Sequence, residues 1–349
     1  MRSALVVLLL LSLCPPGQAL QLGQRLGLQG LRQKLGRVGG LQILLLDVSW
    51  QELEPEPGRL HLGRLAQALR MLRDMGIQVR LNLRTGSSAW ATQAQGLIPP
   101  SRHMSYPPRD LRQWALFVQK VLEAAGPLKA VGFEAGLRAR HWQGSPGELV
   151  RTVEAAASRA QGQRLYALLH WEELKTGLPE VLQVPHQELG LELSGPDALE
   201  AAFRHFRAAT GRAPDFLLVG ASEEGTRNLQ LLLEALRLGL QEVCFQGGED
   251  PLEGLRFLLP YLQEAQAVEV VEVPQAKAYR LRTKGGRRLY VVWAQGPRTV
   301  SLPWELGPFR VLGAQGREQV LEGPALRVGP KPLLVLPQPR KGIDFLGTP

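Results

Sequence analysis

At 349 residues and 44% hydrophobic content, the chain is long enough for one large domain with a small companion and too apolar for a disordered polymer. The 41 basic residues, mostly arginine, outnumber the 32 acidic ones to give a formal charge of +9. They are scattered among acids such as Glu52, Glu54 and Glu56, a pattern of solvation and weak attraction to acidic polymers that argues against a nucleic-acid footprint.

The N-terminus carries Arg2, an apolar run from Ala4 to Cys14, then Pro15-Pro16-Gly17-Gln18-Ala19. Charge, short apolar core and small residues predict a secretory signal over 1–19, cut after Ala19 and too short to span a bilayer permanently. The mature protein is expected to be secreted or periplasmic, without a stable membrane span. Acylation at Cys14 is the other reading, and Leu13 stands where that pattern wants a small residue. Removal of the signal leaves Cys244 alone, which excludes an internal disulfide and a cysteine metal cluster.

A short strand near Leu20 to Gln24 and a helix near Gln29 to Leu35 come first. The stretch Leu41 to Leu83 is the most informative. Its first run is continuously apolar and ends in Asp47-Val48-Ser49-Trp50, as a strand buried on both faces should. Glu54-Pro55-Glu56-Pro57-Gly58 must be a loop. Leu60, Leu62, Leu65, Leu69, Leu72 and Met75 then recur at helical spacing, Gly76 sits where a C-cap belongs, and a second strand follows it to Leu83. The alternation continues. Asp110 caps a helix ending at Gly126-Pro127, Leu128 to Phe133 is a strand, and Pro146 to Ala160 a helix. Strands follow at Leu165 to His170, Leu189 to Leu193, Phe216 to Val219 and Glu242 to Phe245. Helices fall at Ala198 to Thr210, Asn228 to Leu238 and Leu252 to Glu264. This makes eight βα units, a (β/α)8 TIM barrel over 20–266. An open doubly wound sheet is the competitor, but no glycine-rich fingerprint follows the first strand. From about Ala267 short strands separated by Gly and Pro turns predict a small antiparallel β-sandwich over 267–340, with a tail at 341–349.

Several segments resemble clan A glycoside hydrolases, in particular family 39 xylosidase-like enzymes. Trp50 through Gly58 is similar to the family's W-x-x-x-E-P-x-P-G. His141-Trp142-Gln143-Gly144-Ser145-Pro146-Gly147-Glu148 is similar to F-W-x-G-(T/S)-P-x-E. Pro214 to Ser222 is similar to P-(I/V)-(W/F)-(V/L)-T-E-x-G-x-S, and Gly329-Pro330-Lys331-Pro332-Leu333-Leu334 to a terminal G-x-x-P-x-x-L. The resemblance covers nearly all of the mature chain. It implies a barrel with a β domain beside it, no cofactor, and hydrolysis of a polysaccharide or oligosaccharide by two carboxyls about 5–5.5 Å apart.

Those carboxyls belong after the fourth and seventh strands. Anchoring on Trp142 without gaps puts Glu134 on the family's Asn and Ala135 on its acid/base; a one-residue shift makes Glu134 the proton donor. On the seventh strand the Glu position falls on Val219, with Glu223 and Glu224 in the loop beyond. On the sixth, Glu192-Leu193-Ser194 replaces H-x-Y. Glu192, Glu223 and Glu224 are therefore the candidates for second carboxylate. Trp50, Trp90, Trp142 and Trp171 flank strand ends as sugar-stacking aromatics would, and Arg84, His141 and His170 complete the candidate substrate-binding set.

Strand parity adds that Arg80, Asn82 and Arg84 share one face, as do Glu192 and Ser194. A ligand site at the barrel mouth and a satisfied interior ion-pair network both fit that pattern. Arginine beside Glu134 would favour its anion, which suits a structural or anion-binding role. His170-Trp171-Glu172-Glu173 lacks a second histidine at metal spacing, and no G-x-S-x-G occurs, so metal and serine-hydrolase chemistry are not expected. Two functions remain open: a glycosidase, and a catalytically degenerate barrel that binds glycan or a protein partner without hydrolysis.

Overall fold

The computed structural model describes residues 20–28, 31, 41–94, 105–134, 142–176, 180–247, 250–302, 308–313 and 317–338. The signal segment, most of the helix expected at Gln29 to Leu35, His141 and the tail lie outside these residues.

Eight parallel strands close into a barrel in chain order. They are β1 (Gln21–Gly27), β2 (Ile43–Ser49), β3 (Gln78–Arg84), β4 (Ala130–Glu134), β5 (Leu165–His170), β6 (Glu188–Leu193), β7 (Phe216–Gly220) and β8 (Glu242–Gln246), and β8 pairs back onto β1. The open-sheet alternative is thereby excluded. Helices α1 (Trp50–Leu53), α2 (Leu62–Asp74), α3 (Leu111–Ala125), α4 (Pro146–Ala157), α5 (Trp171–Thr176), α6 (Leu199–Thr210) and α7 (Gly225–Arg237) intervene. Local chemistry sets their ends. The Asp110 side chain accepts from the Arg112 N–H at the start of α3. Ser145 and Glu148 form a reciprocal capping box with Pro146 at the first helical position of α4.

Alternation along each strand decides what fills the barrel. Ile43, Leu45, Ala130, Tyr166, Leu168, Phe216, Leu218 and Cys244 form one buried cluster inside it. The large rings fit because glycines face them. A Cβ at Gly132 would fall inside the Tyr166 ring, and one at Gly190 inside the Phe216 ring. Tyr166 and Phe216 then meet edge to face with centroids 5.3 Å apart.

The N-terminal end of the barrel is sealed by charge. Arg80, 2% exposed, donates from Nε to Glu242 at 2.5 Å and pairs through Nη1 with Glu188. Lys129 reaches Glu242 at 2.8 Å and Arg164 reaches Glu188 at 2.9 Å. The Arg80 guanidinium also lies 4.3 Å from the Phe216 ring centroid. Two carboxylates thus meet three cations, so the desolvation of each charge is compensated.

Beyond the barrel lie α8 (Leu259–Glu264), β9 (Ala265–Val273), β10 (Ala276–Thr283), β11 (Arg288–Trp293), β12 (Arg298–Ser301), β13 (Phe309–Gly313), β14 (Glu318–Leu321), β15 (Ala325–Val328) and β16 (Leu333–Pro337). A six-stranded antiparallel sheet ordered β14-β13-β16-β11-β10-β9 and a two-stranded sheet of β12 and β15 share one core that includes Tyr290, Val292, Val300, Phe309, Leu326 and Val335. This is a β-sandwich. By packing, the chain divides into two compact units, one holding Gln21–Ala221 with Glu242–Asp250, the other including Ser222–Gln241 and the chain from Pro251 onward. Helix α7 therefore groups with the β-sandwich: Tyr279 on β10 donates its hydroxyl to Glu234 at 2.8 Å.

Candidate active site at the barrel mouth

The C-terminal ends of the strands carry a second polar cluster. Inward-facing positions on β1, β2, β3, β5, β6 and β8 present Arg25, Asp47, Asn82 with Arg84, His170, Glu192 and Gln246. Arg25 stands between the two carboxylates. Its Nε donates to Asp47 Oδ2 at 2.7 Å, and its Nη1 lies 3.9 Å from Glu192 Oε1. Asp47 Oδ1 accepts from Asn82 at 2.7 Å, and Arg84 approaches Asp47 Oδ2 at 3.6 Å. Asp47 is therefore an anion matched on both oxygens.

Glu192 is held differently. Gln246 Nε2 donates to its Oε1 at 3.2 Å, and His170 Nε2 lies 3.8 Å from the same oxygen. His170 Nδ1 accepts from the Glu172 backbone N–H at 3.2 Å, which places the ring proton on Nε2, facing Glu192. Three side chains from three strands thus converge on one carboxylate oxygen. Such a carboxylate suits charge-stabilising or nucleophilic work better than proton donation. Arg84, with 45% of its side chain exposed, is the accessible cation of the set.

The polar face of β3 divides between the two ends of the barrel, and the interior ion-pair network is found at one of them. Arg80 belongs to the sealed end with Glu188 and Glu242, while Asn82 and Arg84 belong to the mouth. Arg80 therefore pairs with Glu188 and Glu242.

Solved structures similar to this chain include several glycoside hydrolases. The family 39 glycoside hydrolase of Bacteroides cellulosilyticus WH2 superposes with a TM-score of 0.60 at 11% identity, over 92% of this chain and 81% of that one. A glucosidase of Croceicoccus marinus gives 0.55 at 12%, over 92% and 96%, and an alpha-amylase of Geobacillus thermoleovorans complexed with acarbose 0.51 at 9%, over 90% and 92%. At these identities the likeness is one of fold: a closed (β/α)8 barrel followed by a β-sandwich. No protein-family model and no curated protein sequence matches the chain.

Within that fold the sequence-derived candidates separate. Glu134 ends β4, in register with Arg84 and with the parity of Ala130 and Gly132; its side chain lies outside the described set, as does His141. His170, Glu192 and Arg84 meet at the mouth. Glu223 and Glu224 are exposed, belong to the other compact unit, and Glu224 pairs with Arg227 at 3.0 Å at the start of α7. Trp50 is corrected: it is 1% exposed, stacks on Phe117 with centroids 5.2 Å apart and donates Nε1 to Glu54 at 2.7 Å, so packing consumes its faces. Trp142 is likewise buried, at 4% exposure, with Nε1 on the Ser145 carbonyl. Trp90 and Trp171 stay partly exposed. Trp90 donates Nε1 to the Glu54 carbonyl at 2.9 Å, and Trp171 carries Lys175 5.0 Å from its ring centroid.

Arg25, Asp47 and Gln246 were not among the sequence candidates. Parity is the signal that finds them: each lies two residues beyond an inward residue, Gly23, Leu45 and Cys244. Among the described residues no group of three or more His, Cys, Asp or Glu side chains is arranged to hold a metal ion.

Proposed function

We propose that this protein acts outside the cytoplasm on a polysaccharide or oligosaccharide at the barrel mouth, cleaving a glycosidic bond by carboxylate chemistry with Glu134 as proton donor. The observation that carries the reading is the mouth cluster: side chains from six strands converge at the C-terminal end, where barrel enzymes place their sites, while the opposite end is filled by Arg80 and its partners. The glycoside-hydrolase fold supports the substrate class. Half-exposed Arg84 and partly exposed Trp90 and Trp171 supply polar and aromatic contacts of the kind sugars use.

A second reading has its own observation. Asp47 and Glu192 already face Arg25, and β7 ends in Gly220, without a carboxylate. This favours a barrel that binds glycan without cutting it. One experiment separates the two: a panel of aryl glycosides and polysaccharides offered to the wild type and to Glu134→Gln. Turnover by the wild type that falls roughly 10²-fold or more in the variant supports hydrolysis. Oligosaccharide-dependent rise in melting temperature without turnover supports binding alone. Neither effect with any glycan rejects both.

A further inference from the structure

The seventh strand has no room for a carboxylate. Gly220 is the inward position at its C-terminal end, in register with Gln246, and a Cβ placed there would fall on the backbone carbonyl oxygen of Ser194. That obstacle is main chain leaving β6, so it does not swing aside like the end of a flexible side chain. Val219, the residue before, has the opposite parity and is wholly buried. Any acid on β7 would have to displace the turn after β6.

The neighbouring strand supplies what β7 lacks. Glu192 sits in register with Leu218 of β7, so it projects into the barrel beside the blocked position. Gln246 donates a hydrogen bond to its Oε1, and His170 Nε2 and Arg25 Nη1 stand 3.8 and 3.9 Å from the same oxygen. This hydrogen bond and the two neighbouring side chains orient the carboxylate, the preorganisation asked of a group that must attack along one line. Asp47 is hydrogen-bonded through both oxygens to Asn82 and Arg25, and serves to hold that arginine.

We propose that Glu192, on the sixth strand, is the reactive second carboxylate of this barrel, the steric closure at Gly220 having removed the seventh-strand position from use. The assignment rests on the glycan-cleaving reading. A Glu192 oxygen forms a bond to the anomeric carbon as the bond to the leaving oxygen breaks, and that oxygen takes the proton of Glu134. Water then attacks the same carbon, the ester bond to Glu192 breaks, Glu192 leaves as carboxylate and Glu134 recovers a proton. One water is consumed and the enzyme is restored.

The test is Glu192→Gly assayed on aryl glycosides with and without sodium azide, beside the wild type and the shape-conserving Glu192→Gln, all checked for a native melting transition. The expected result is a loss of roughly 10³-fold or more in both variants, with azide restoring turnover in Glu192→Gly and yielding a glycosyl azide. Wild-type rates in either variant, or a folded Glu192→Gly that azide does not rescue, would overturn the assignment while leaving the glycan reading standing. The wild type incubated with 2-deoxy-2-fluoro glycosides gives a result that needs no variant. A label on the peptide containing Glu192 supports the assignment, and one on any other residue overturns it. A wild type that neither turns over nor binds any glycan removes the parent reading, and this assignment with it.

Discussion

Arg80 is the residue on which the sealed end of the barrel depends, because among the described residues it alone touches both Glu188 and Glu242, in a nearly dry site. Arg80→Met keeps the volume but leaves both acids with one cation each, so unfolding free energy should fall by about 3–5 kcal/mol in a denaturant titration. The same site dictates an acid limb. Burial pushes the Glu188 carboxyl up, but the charge and hydrogen bond of Arg80 and the contact with Arg164 outweigh it and hold the group below the ordinary carboxylate range. With the folded value below the unfolded one, the stabilisation is complete above an unfolded value of about 4.3 and is lost as pH falls through the folded value. Stability of the wild type should therefore decline with acid through that window, and Glu188→Gln should show a shallower decline in melts from pH 5 to 3. A flat wild-type profile would contradict the arrangement. At this scale the sequence was legible in part. Arg84, His170 and Glu192 stood out because a polar residue at a strand end interrupts apolar neighbours. Asp47 was hidden by a strand apolar on both faces, where one acid looks like the strand's end. Trp50 misled because a tryptophan following a strand can open the next helix and turn inward: as the first residue of α1 it packs on Trp114 and Phe117.

Between strands, the pairs Gly132 with Tyr166 and Gly190 with Phe216 show one element reserving space for the next. Gly190→Ala should cost about 1–3 kcal/mol through overpacking against the Phe216 ring. Phe216→Leu alone should also destabilise, yet the double variant should lie well above the sum of the single losses, because the smaller side chain vacates the space the methyl needs. Additive losses in denaturant melts would mean that the ring and the glycine do not compete. For helices, the capping box of α4 predicts that Ser145→Ala lowers stability by about 1 kcal/mol in the same assay. Elements with such local signals were readable in advance: α3 begins after Asp110 and stops at Gly126, which adopts φ 67°. Where the signal was tertiary, reading failed. The helix expected over Leu252 to Glu264 is broken by Gly254 at φ 71° and is regular only from Leu259. Strand β14 carries no alternation that would mark it, because Glu318, Gln319 and Val320 are all exposed.

For the molecule as a whole, chain order and packing order part company at α7. Sequence periodicity assigns this helix to the barrel by counting βα units, and a division at 266/267 follows. Yet α7 groups with the strands that come after it, through Tyr279 on Glu234 and Lys277 on Gln230. The Tyr279 hydroxyl is raised well above its ordinary range by burial and by the Glu234 carboxylate, so it remains a donor throughout the physiological range. Because the chain enters the second unit at Ser222, returns to the barrel for β8 and leaves again at Pro251, neither unit is a continuous piece. A fragment ending at residue 266 would strand α7 without β10 and expose apolar surface that the full chain covers. Residues 20–266 expressed alone should therefore bind a hydrophobic dye and melt without a cooperative transition, whereas residues 20–349 should melt cooperatively and leave the dye dark. A fragment as cooperative as the full chain would show instead that α7 needs only the barrel, and that the barrel stands alone as its eight repeats suggest.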